Sequence, residues 1–201
     1  MMKNAVKEPV RIAVFVSGGG TNLQALIDAQ KAGKIKSGRI ELVMSNKKNA
    51  FALERARQNG ISAVHLRRSD FAEKLEPLMR EHDIDMIVLA GFLCILPEEF
   101  TRLYEGRMIN IHPALIPSFC GEGMYGLHVH EAVLARGVKV TGATVHYVNE
   151  ICDGGEIIFQ KAVNVRKGDT PETLQLRVMQ QAEWKILPAA VEKVAKELSA
   201  K

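Results

Sequence analysis

The chain has 201 residues, 47% of them hydrophobic and 25% charged, and its formal net charge is +4. This length is enough for one α/β domain with a substantial core, and the composition is that of an ordinary globular protein. The basic residues are dispersed, the N-terminus lacks an apolar segment, and no apolar run has the length of a membrane span. We therefore expect a cytoplasmic protein that binds neither nucleic acid nor membrane. The three cysteines (Cys94, Cys120 and Cys152) are widely spaced and are predicted to be free thiols.

The first half of the chain predicts alternating strands and helices. Short β-branched apolar runs predict buried strands, and apolar residues three and four positions apart predict the helices between them. The predicted strands are 11–16, 40–44, 63–66 and 86–90, and the predicted helices are 22–32, 50–59 and 69–82. This α/β alternation is typical of a Rossmann-like, mostly parallel twisted sheet with helices on both faces.

The pattern changes after about residue 107. The turn Asp153-Gly154-Gly155 lies between two longer strand-like runs, as in an antiparallel C-terminal β-hairpin. The predicted elements are a strand at 108–111, a glycine-rich loop at 118–127, a helix at 129–136 and strands at 140–148 and 157–165.

A long final helix is predicted to begin at Asp169-Thr170-Pro171-Glu172 and to run to the C-terminus, where Pro188 should kink or divide it. Repeats and composition breaks are absent from the sequence. Residues 1–201 are therefore predicted to form one domain, with one half over about 11–106 and a second over about 107–201.

The segment Ser17-Gly18-Gly19-Gly20-Thr21-Asn22, called here the glycine loop, lies between the first predicted strand and helix. Glycines allow a sharp turn there, and the N–H groups at a helix N-terminus attract an anion. The spacing matches neither the dinucleotide G-x-G-x-x-G pattern nor the P-loop, so a single phosphate is the favoured ligand. A glycine-rich turn in which Thr21 or Asn22 only caps the helix is the alternative.

Asn110 and His112 are two positions apart on a predicted strand that Pro113 ends, so their side chains should emerge on one face. An amide and an imidazole at the end of an α/β strand can bind and protonate a ligand. Asp153 adds a carboxylate, although alone it is typical of a hairpin turn.

Three other histidines favour structural roles. His146, in the strand that begins at Val140, is expected to be a structural strand residue rather than a second base. His128 and His130 could form a metal pair, but exposed or capping histidines are the favoured interpretation at a loop-to-helix junction.

Five motifs occur together in a characteristic order. They are S-G-x-G-[ST]-N at 17–22, A-G-F-x-x-I-L at 90–96, N-I-H-P-x-L-x-P at 110–117, V-T-G-x-T-V-H at 140–146 and D-x-G-x-I-I at 153–158. A glutamate, Glu183, then precedes the proline of the final helix. With this combination the chain resembles the phosphoribosylglycinamide formyltransferase family, folate-dependent enzymes of purine biosynthesis, over nearly its whole length.

The resemblance implies specific site residues. Asn110, His112 and Asp153 correspond to the family's catalytic trio. Glu183 corresponds to the carboxylate that holds the ribose hydroxyls, although alone it would be a solvated helix residue. The implied phosphate-binding residues are Gly19, Gly20, Thr21 and Asn22, and the implied folate-binding residues are Phe92, Leu93, Cys94, Ile95, Leu96, Asn110, Asn149 and Asp153.

The resemblance also implies the formyltransferase fold and a reaction. The formyl group of 10-formyltetrahydrofolate would be transferred to the amine of glycinamide ribonucleotide, without a metal, in a monomer or weak homodimer. Methionyl-tRNA formyltransferase and formyltetrahydrofolate deformylase share the catalytic segment, but each carries a further domain that 201 residues do not accommodate. A folate hydrolase, or a nucleotide- or folate-binding module without turnover, is the remaining alternative.

The sequence departs from the family pattern in three places. Cys94 stands where a basic residue is common, which removes a donor near the folate. The loop from Ser118 to Leu127 is longer than usual and could form a flap or an oligomer contact. One additional residue lies between Arg177 and Glu183, which affects where Glu183 points.

Overall fold

The computed structural model describes residues 8–200, and seven strands form its single sheet. The strands are β1 (Val10–Val16), β2 (Gly38–Ser45), β3 (Ser62–His65), β4 (Met86–Leu89), β5 (Met108–His112), β6 (Val140–Tyr147) and β7 (Ile157–Asn164). Their order is β3-β2-β1-β4-β5-β6-β7. Strands β1 to β5 pair in parallel, whereas β6 pairs antiparallel with both β5 and β7. The predicted mostly parallel sheet and C-terminal hairpin are confirmed.

Helices cover both faces of this sheet. They are α1 (Thr21–Lys31), α2 (Phe51–Gln58), α3 (Phe71–Glu81), α4 (Glu98–Leu103), α5 (Leu127–Arg136), α6 (Pro171–Val178) and α7 (Trp184–Ser199), with a 3₁₀ turn at Arg68–Asp70. Among residues 8–200, no helix is both long enough and apolar enough to span a bilayer.

Strand β1 shows why both faces are covered. Ile12, Val14 and Val16 join the core that α1, α2 and α7 cover, while Ala13 and Phe15 join the core beneath α3 and α4. Successive side chains of a strand point to opposite faces, so a continuous apolar run requires apolar partners on both sides. That requirement made the strand recognisable in the sequence.

Helix α4 was not predicted from the sequence. It has six residues and begins after Pro97, and Phe100 and Thr101 are its buried residues. Fewer than two turns give too little apolar periodicity to distinguish a helix from a loop.

The predicted final helix is divided, but the division is not at Pro188. A π-helical segment at Met179–Glu183 separates α6 from α7, and Pro188 lies within α7. Proline cannot donate to the carbonyl four residues earlier, which is that of Trp184. The Trp184 carbonyl directly follows the π-helical segment. The break in the helical hydrogen bonding therefore lies before Pro188, and α7 continues past the proline.

The register of the parallel strands brings three segments to one edge of the sheet. Phe15 of β1 pairs with Leu89 of β4, and Leu89 pairs with Asn110 of β5. The glycine loop therefore follows β1 beside the 90–96 segment that follows β4, and Asn110 lies on the other side of β4 at the same edge. This carboxyl edge is where open α/β sheets bind ligands.

We predict that Gly142→Ala destabilises the protein by at least about 2 kcal/mol, because the strand pair has no room for a methyl group. A Cβ on Gly142 would lie 2.1 Å from the Lys161 carbonyl oxygen and 2.8 Å from Leu115 Cδ2. The free energy of unfolding in urea measures the loss. Gly18→Ala is the control, since a Cβ there meets nothing within 4 Å. Equal stability of the two variants would contradict the prediction.

Candidate active site

Asn110 and His112 emerge on the same face of β5, as their spacing predicts. Asn110 is half-buried and His112 is 3% exposed. Across the antiparallel pair, Asn110 lies opposite His146 and His112 opposite Thr144. An amide and an imidazole are thus held side by side at the end of a central strand, where rigid backbone fixes their spacing.

Asp153 reaches this strand from the loop between β6 and β7. One carboxylate oxygen, Oδ2, lies 3.5 Å from His112 Nδ1 and accepts the Gly121 N–H at 2.9 Å. Burial opposes ionisation, but His146, the Gly121 N–H and the His112 ring outweigh it and hold the pKa of Asp153 below its usual value. The carboxylate is therefore ionised at neutral pH.

A backbone carbonyl selects the tautomer of His112. The Phe119 carbonyl oxygen lies 2.8 Å from His112 Nε2 and can only accept, so Nε2 carries the hydrogen. Burial lowers the pKa of His112, although the Asp153 charge acts in the opposite direction. The neutral ring thus presents a basic Nδ1 beside Asp153, which would stabilise the ring after it accepts a proton.

His146 contacts the same cluster, although the sequence favoured a purely structural role. The Tyr147 carbonyl accepts from His146 Nδ1–H at 2.8 Å, and Nε2 of the same ring lies 3.5 Å from Asp153 Oδ1. Asn110 Nδ2 lies 3.1 Å from that nitrogen and 3.5 Å from Asp153 Oδ1. His146 and Asp153 thus both contact the Asn110 amide nitrogen. Only the register of β5 against β6, a long-range feature, brings the two residues together.

The loop before α5 packs on this cluster. The Phe119 carbonyl contacts His112 and the Gly121 N–H contacts Asp153, so both ends of the His112–Asp153 contact are held by the same loop. Phe119 adopts a positive φ of 53°. The sequence indicated a flap or an oligomer contact for this loop, and within the chain the loop contributes backbone groups to the cluster.

The glycine loop leads directly into α1. Gly20 is the N-cap residue with φ 73°, and a Cβ there would lie 2.6 Å from that of Ala52. No side chain caps α1 and its first turn has no acidic residue. The first N–H groups of the helix are therefore left to water or a ligand, as in an anion site. Thr21 is exposed, and its hydroxyl contacts only the Met179 sulfur, at 3.5 Å, among the described residues.

Glu183 is buried beside this loop rather than solvated. It is 5% exposed, and Asn22 Nδ2 donates to its Oε2 at 2.6 Å. Burial raises the pKa of Glu183 to about 7, although the Asn22 hydrogen bond acts in the opposite direction. Asn22 Oδ1 is also buried and has no partner among the described residues. The π segment ends at Glu183, and its wider turn accommodates one more residue per turn than an α-helix does.

The 90–96 segment runs beside the glycine loop. Ser17 N–H donates to the Gly91 carbonyl at 3.0 Å, and Leu93 N–H donates to Ser17 Oγ at 2.8 Å. Leu93 and Ile95 are 48% and 72% exposed. Exposed apolar side chains next to polar groups are typical of a binding wall for a flat ligand.

Four of the other residues that the resemblance implies for folate binding contact the protein itself. The Phe92 ring packs on Phe15 at 5.5 Å and on Phe71 at 6.0 Å between centroids. Leu96 and Cys94 pack against the same core, and Cys94 Sγ accepts from Asn46 Nδ2 at 2.9 Å. Asn149 Oδ1 accepts the Ile151 N–H at 3.0 Å, within the hairpin loop.

The two histidines of α5 differ. His128 is exposed, as expected, and lies 3.2 Å from Glu131. His130 is fully buried, which contradicts the expectation of an exposed or capping residue, because Val129, His130 and Val133 form the inner face of the helix. Neither ring nitrogen of His130 has a partner among the described residues. Burial, and to a lesser extent His112, lowers the pKa of His130 to about 4.

Residues 10–191 match the formyl transferase family, and the chain belongs to that family. The predicted family and formyltransferase fold are thereby confirmed.

Relatives within the family have narrower names. Phosphoribosylglycinamide formyltransferase of Escherichia coli is 44% identical over 189 residues, which cover 90% of this chain and 85% of that protein. The human trifunctional purine biosynthetic protein adenosine-3 is 43% identical over 195 residues, 94% of this chain, but the chain spans only 19% of that protein. The crystal structure of phosphoribosylglycinamide formyltransferase from Anaplasma phagocytophilum aligns with a TM-score of 0.86 and 39% identity, covering 94% of this chain and 89% of that one.

We predict that Glu183→Gln increases stability at high pH. The folded-state pKa of about 7 exceeds the ordinary 4.5, so the folded state retains a proton and stability falls as pH rises from 4.5 through 7. Relative to the wild type, the free energy of unfolding of the variant should therefore increase by up to about 3 kcal/mol as the pH rises from 4.5 to 8. Chemical denaturation at both pH values measures this, with the exposed Glu73→Gln as control. A pH-independent difference would refute it.

We predict the opposite pH dependence for His130. Its folded-state pKa of about 4 lies below the ordinary 6.5, so its contribution is complete above pH 6.5 and is lost as the pH falls to 4. Relative to the wild type, the free energy of unfolding of His130→Leu should increase by up to about 3 kcal/mol as the pH falls over that interval. Thermal unfolding at pH 7 and 4.5 provides the comparison, and the exposed His128→Leu should show no such gain.

Proposed function

We propose that the chain transfers the formyl group of 10-formyltetrahydrofolate to the amine of glycinamide ribonucleotide, giving formylglycinamide ribonucleotide and tetrahydrofolate. The observation that carries this proposal is the juxtaposition of an amide, a basic imidazole nitrogen and a buried carboxylate at the end of β5, with Asn110 Nδ2 and His112 Nδ1 each 3.5 Å from Asp153. Family membership and the names of the relatives support the same reaction.

The chemistry needs an oxyanion donor and a proton carrier. The acceptor amine attacks the formyl carbon, a C–N bond forms, and the carbonyl oxygen becomes an oxyanion. The Asn110 amide would donate to that oxyanion when a formyl oxygen replaces the long contact with Asp153. His112 Nδ1 would take the proton that the amine loses, and Asp153 would stabilise the charged ring. When the bond to the folate nitrogen breaks, the proton returns to that nitrogen.

The glycine loop would hold the phosphate of the acceptor. Its support is the uncapped N-terminus of α1 beside Gly19, Gly20 and Thr21. The buried Glu183 and Asn22 Oδ1 would accept hydrogen bonds from ribose hydroxyls. Such a bond would satisfy Asn22 Oδ1, which has no partner among the described residues. Leu93 and Ile95 would contact the flat folate ring.

Turnover of 10-formyltetrahydrofolate, followed by absorbance with and without glycinamide ribonucleotide, tests the proposal. Turnover that requires the ribonucleotide is expected. Folate turnover without it would instead indicate a hydrolase, and no turnover with either would indicate a binding module.

We predict that His112→Ala and Asp153→Asn each lower kcat by about a hundredfold to a thousandfold, because each removes part of the proton carrier or its stabilising charge. Steady-state kinetics measures this at saturating concentrations of both substrates. His128→Ala, an exposed imidazole on α5, is the matched control and should keep wild-type kcat. Wild-type rates in both site variants would exclude the proposed roles.

A further inference from the structure

Arg55 connects α2 to the glycine loop. Its Nε–H donates to the Gly19 carbonyl at 2.8 Å, and its Nη1 donates to Gln24 Oε1 at 3.0 Å. The guanidinium also lies over the Phe51 ring, 4.9 Å from the centroid. One half-buried side chain thus holds both the loop and the first turn of α1.

A second contact from α2 holds the preceding carbonyl. The Ala52 N–H donates to the Gly18 carbonyl at 3.1 Å. In a planar trans peptide the C=O of one residue and the N–H of the next point in opposite directions. Fixing the carbonyls of Gly18 and Gly19 toward α2 therefore turns the N–H groups of Gly19 and Gly20 away from it. Neither N–H donates to another described residue.

Arg55 also places a positive charge beside the glycine loop. Among residues 8–200 it forms no ion pair, whereas its neighbour Arg57 lies 3.7 Å from Glu54. The positive charge of Arg55 is therefore uncompensated beside the N-terminus of α1, and both favour an anion in the loop.

We propose that Arg55 is a positioning residue for the phosphate of the acceptor substrate: it orients the peptides of the glycine loop so that two N–H groups face the anion, and adds a positive charge beside it. This inference rests on the proposed function for the identity of the acceptor. It assigns Arg55 no contact with the reacting atoms. Its loss should weaken the binding of phosphate-bearing acceptors and leave the chemical step intact.

The test compares glycinamide ribonucleotide with glycinamide riboside, which lacks the phosphate. For Arg55→Met we expect KM for the ribonucleotide to rise about tenfold to hundredfold, kcat to stay within about twofold, and KM for the riboside to remain unchanged. Arg55→Lys keeps the charge but not the two-armed geometry, and should recover part of the loss. Arg57→Met removes a positive charge from the same helix and is the matched control.

Three results would overturn the inference. They are an equal loss with riboside and ribonucleotide, an equal loss in Arg57→Met, and a wild-type protein that does not distinguish the two acceptors. If Arg55→Met fails to fold, the same comparison is made with Arg55→Lys, which must then raise KM for the ribonucleotide alone.

Calorimetric titration with ribose 5-phosphate separates this inference from the proposed function, since it requires no turnover. If the wild type binds the probe and Arg55→Met binds it at least about tenfold more weakly, the role of Arg55 stands even where formyl transfer is not observed. Formyl transfer without selective weakening in Arg55→Met leaves the function intact and excludes the role of Arg55.

Discussion

The rest of the site depends on the contacts that the buried carboxylate of Asp153 makes. It accepts the Gly121 N–H and lies beside the rings of His112 and His146, and so connects the hairpin loop to three other segments, the loop before α5, β5 and β6. A buried anion is tolerated only where donors and polarisable neighbours replace water, and here three segments supply them. The geometry of the cluster is therefore a consequence of solvating one charge.

The sheet decides where that cluster lies. Because β1, β4 and β5 are parallel neighbours, the segments that follow them meet at one edge, and β6 turns back antiparallel to bring His146 opposite Asn110. The proposed phosphate and formyl sites then lie at the ends of β1 and β5, with β4 between them. One acceptor molecule that spans both would have its phosphate at a helix N-terminus and its amine near His112, an arrangement that the parallel order makes available to a small ribonucleotide.

Local sequence patterns predicted much of this arrangement. Strand periodicity placed Asn110 and His112 on one face, and continuous apolar runs predicted the two-sided sheet. What they missed depends on distant contacts. The approach of His146 to Asn110 follows from pairing across 36 residues, and the burial of Glu183 from a π turn that periodicity does not reveal. The family resemblance implied a folate-binding role for Phe92, but its ring packs in the core.

Two buried polar groups have no hydrogen-bond partner within residues 8–200, and their surroundings differ. Asn22 Oδ1 belongs to the side chain that donates to Glu183 and follows the exposed Thr21, and under the proposed function a ribose hydroxyl would supply its missing partner. His130 lies between Val129 and Val133 on the inner face of α5, where its missing hydrogen bonds only destabilise the fold, and increasingly so as acid favours its charged form. The same kind of local cost would thus serve ligand binding at Asn22 and limit acid stability at His130. The difference is that an exposed residue adjoins Asn22, whereas apolar residues adjoin His130.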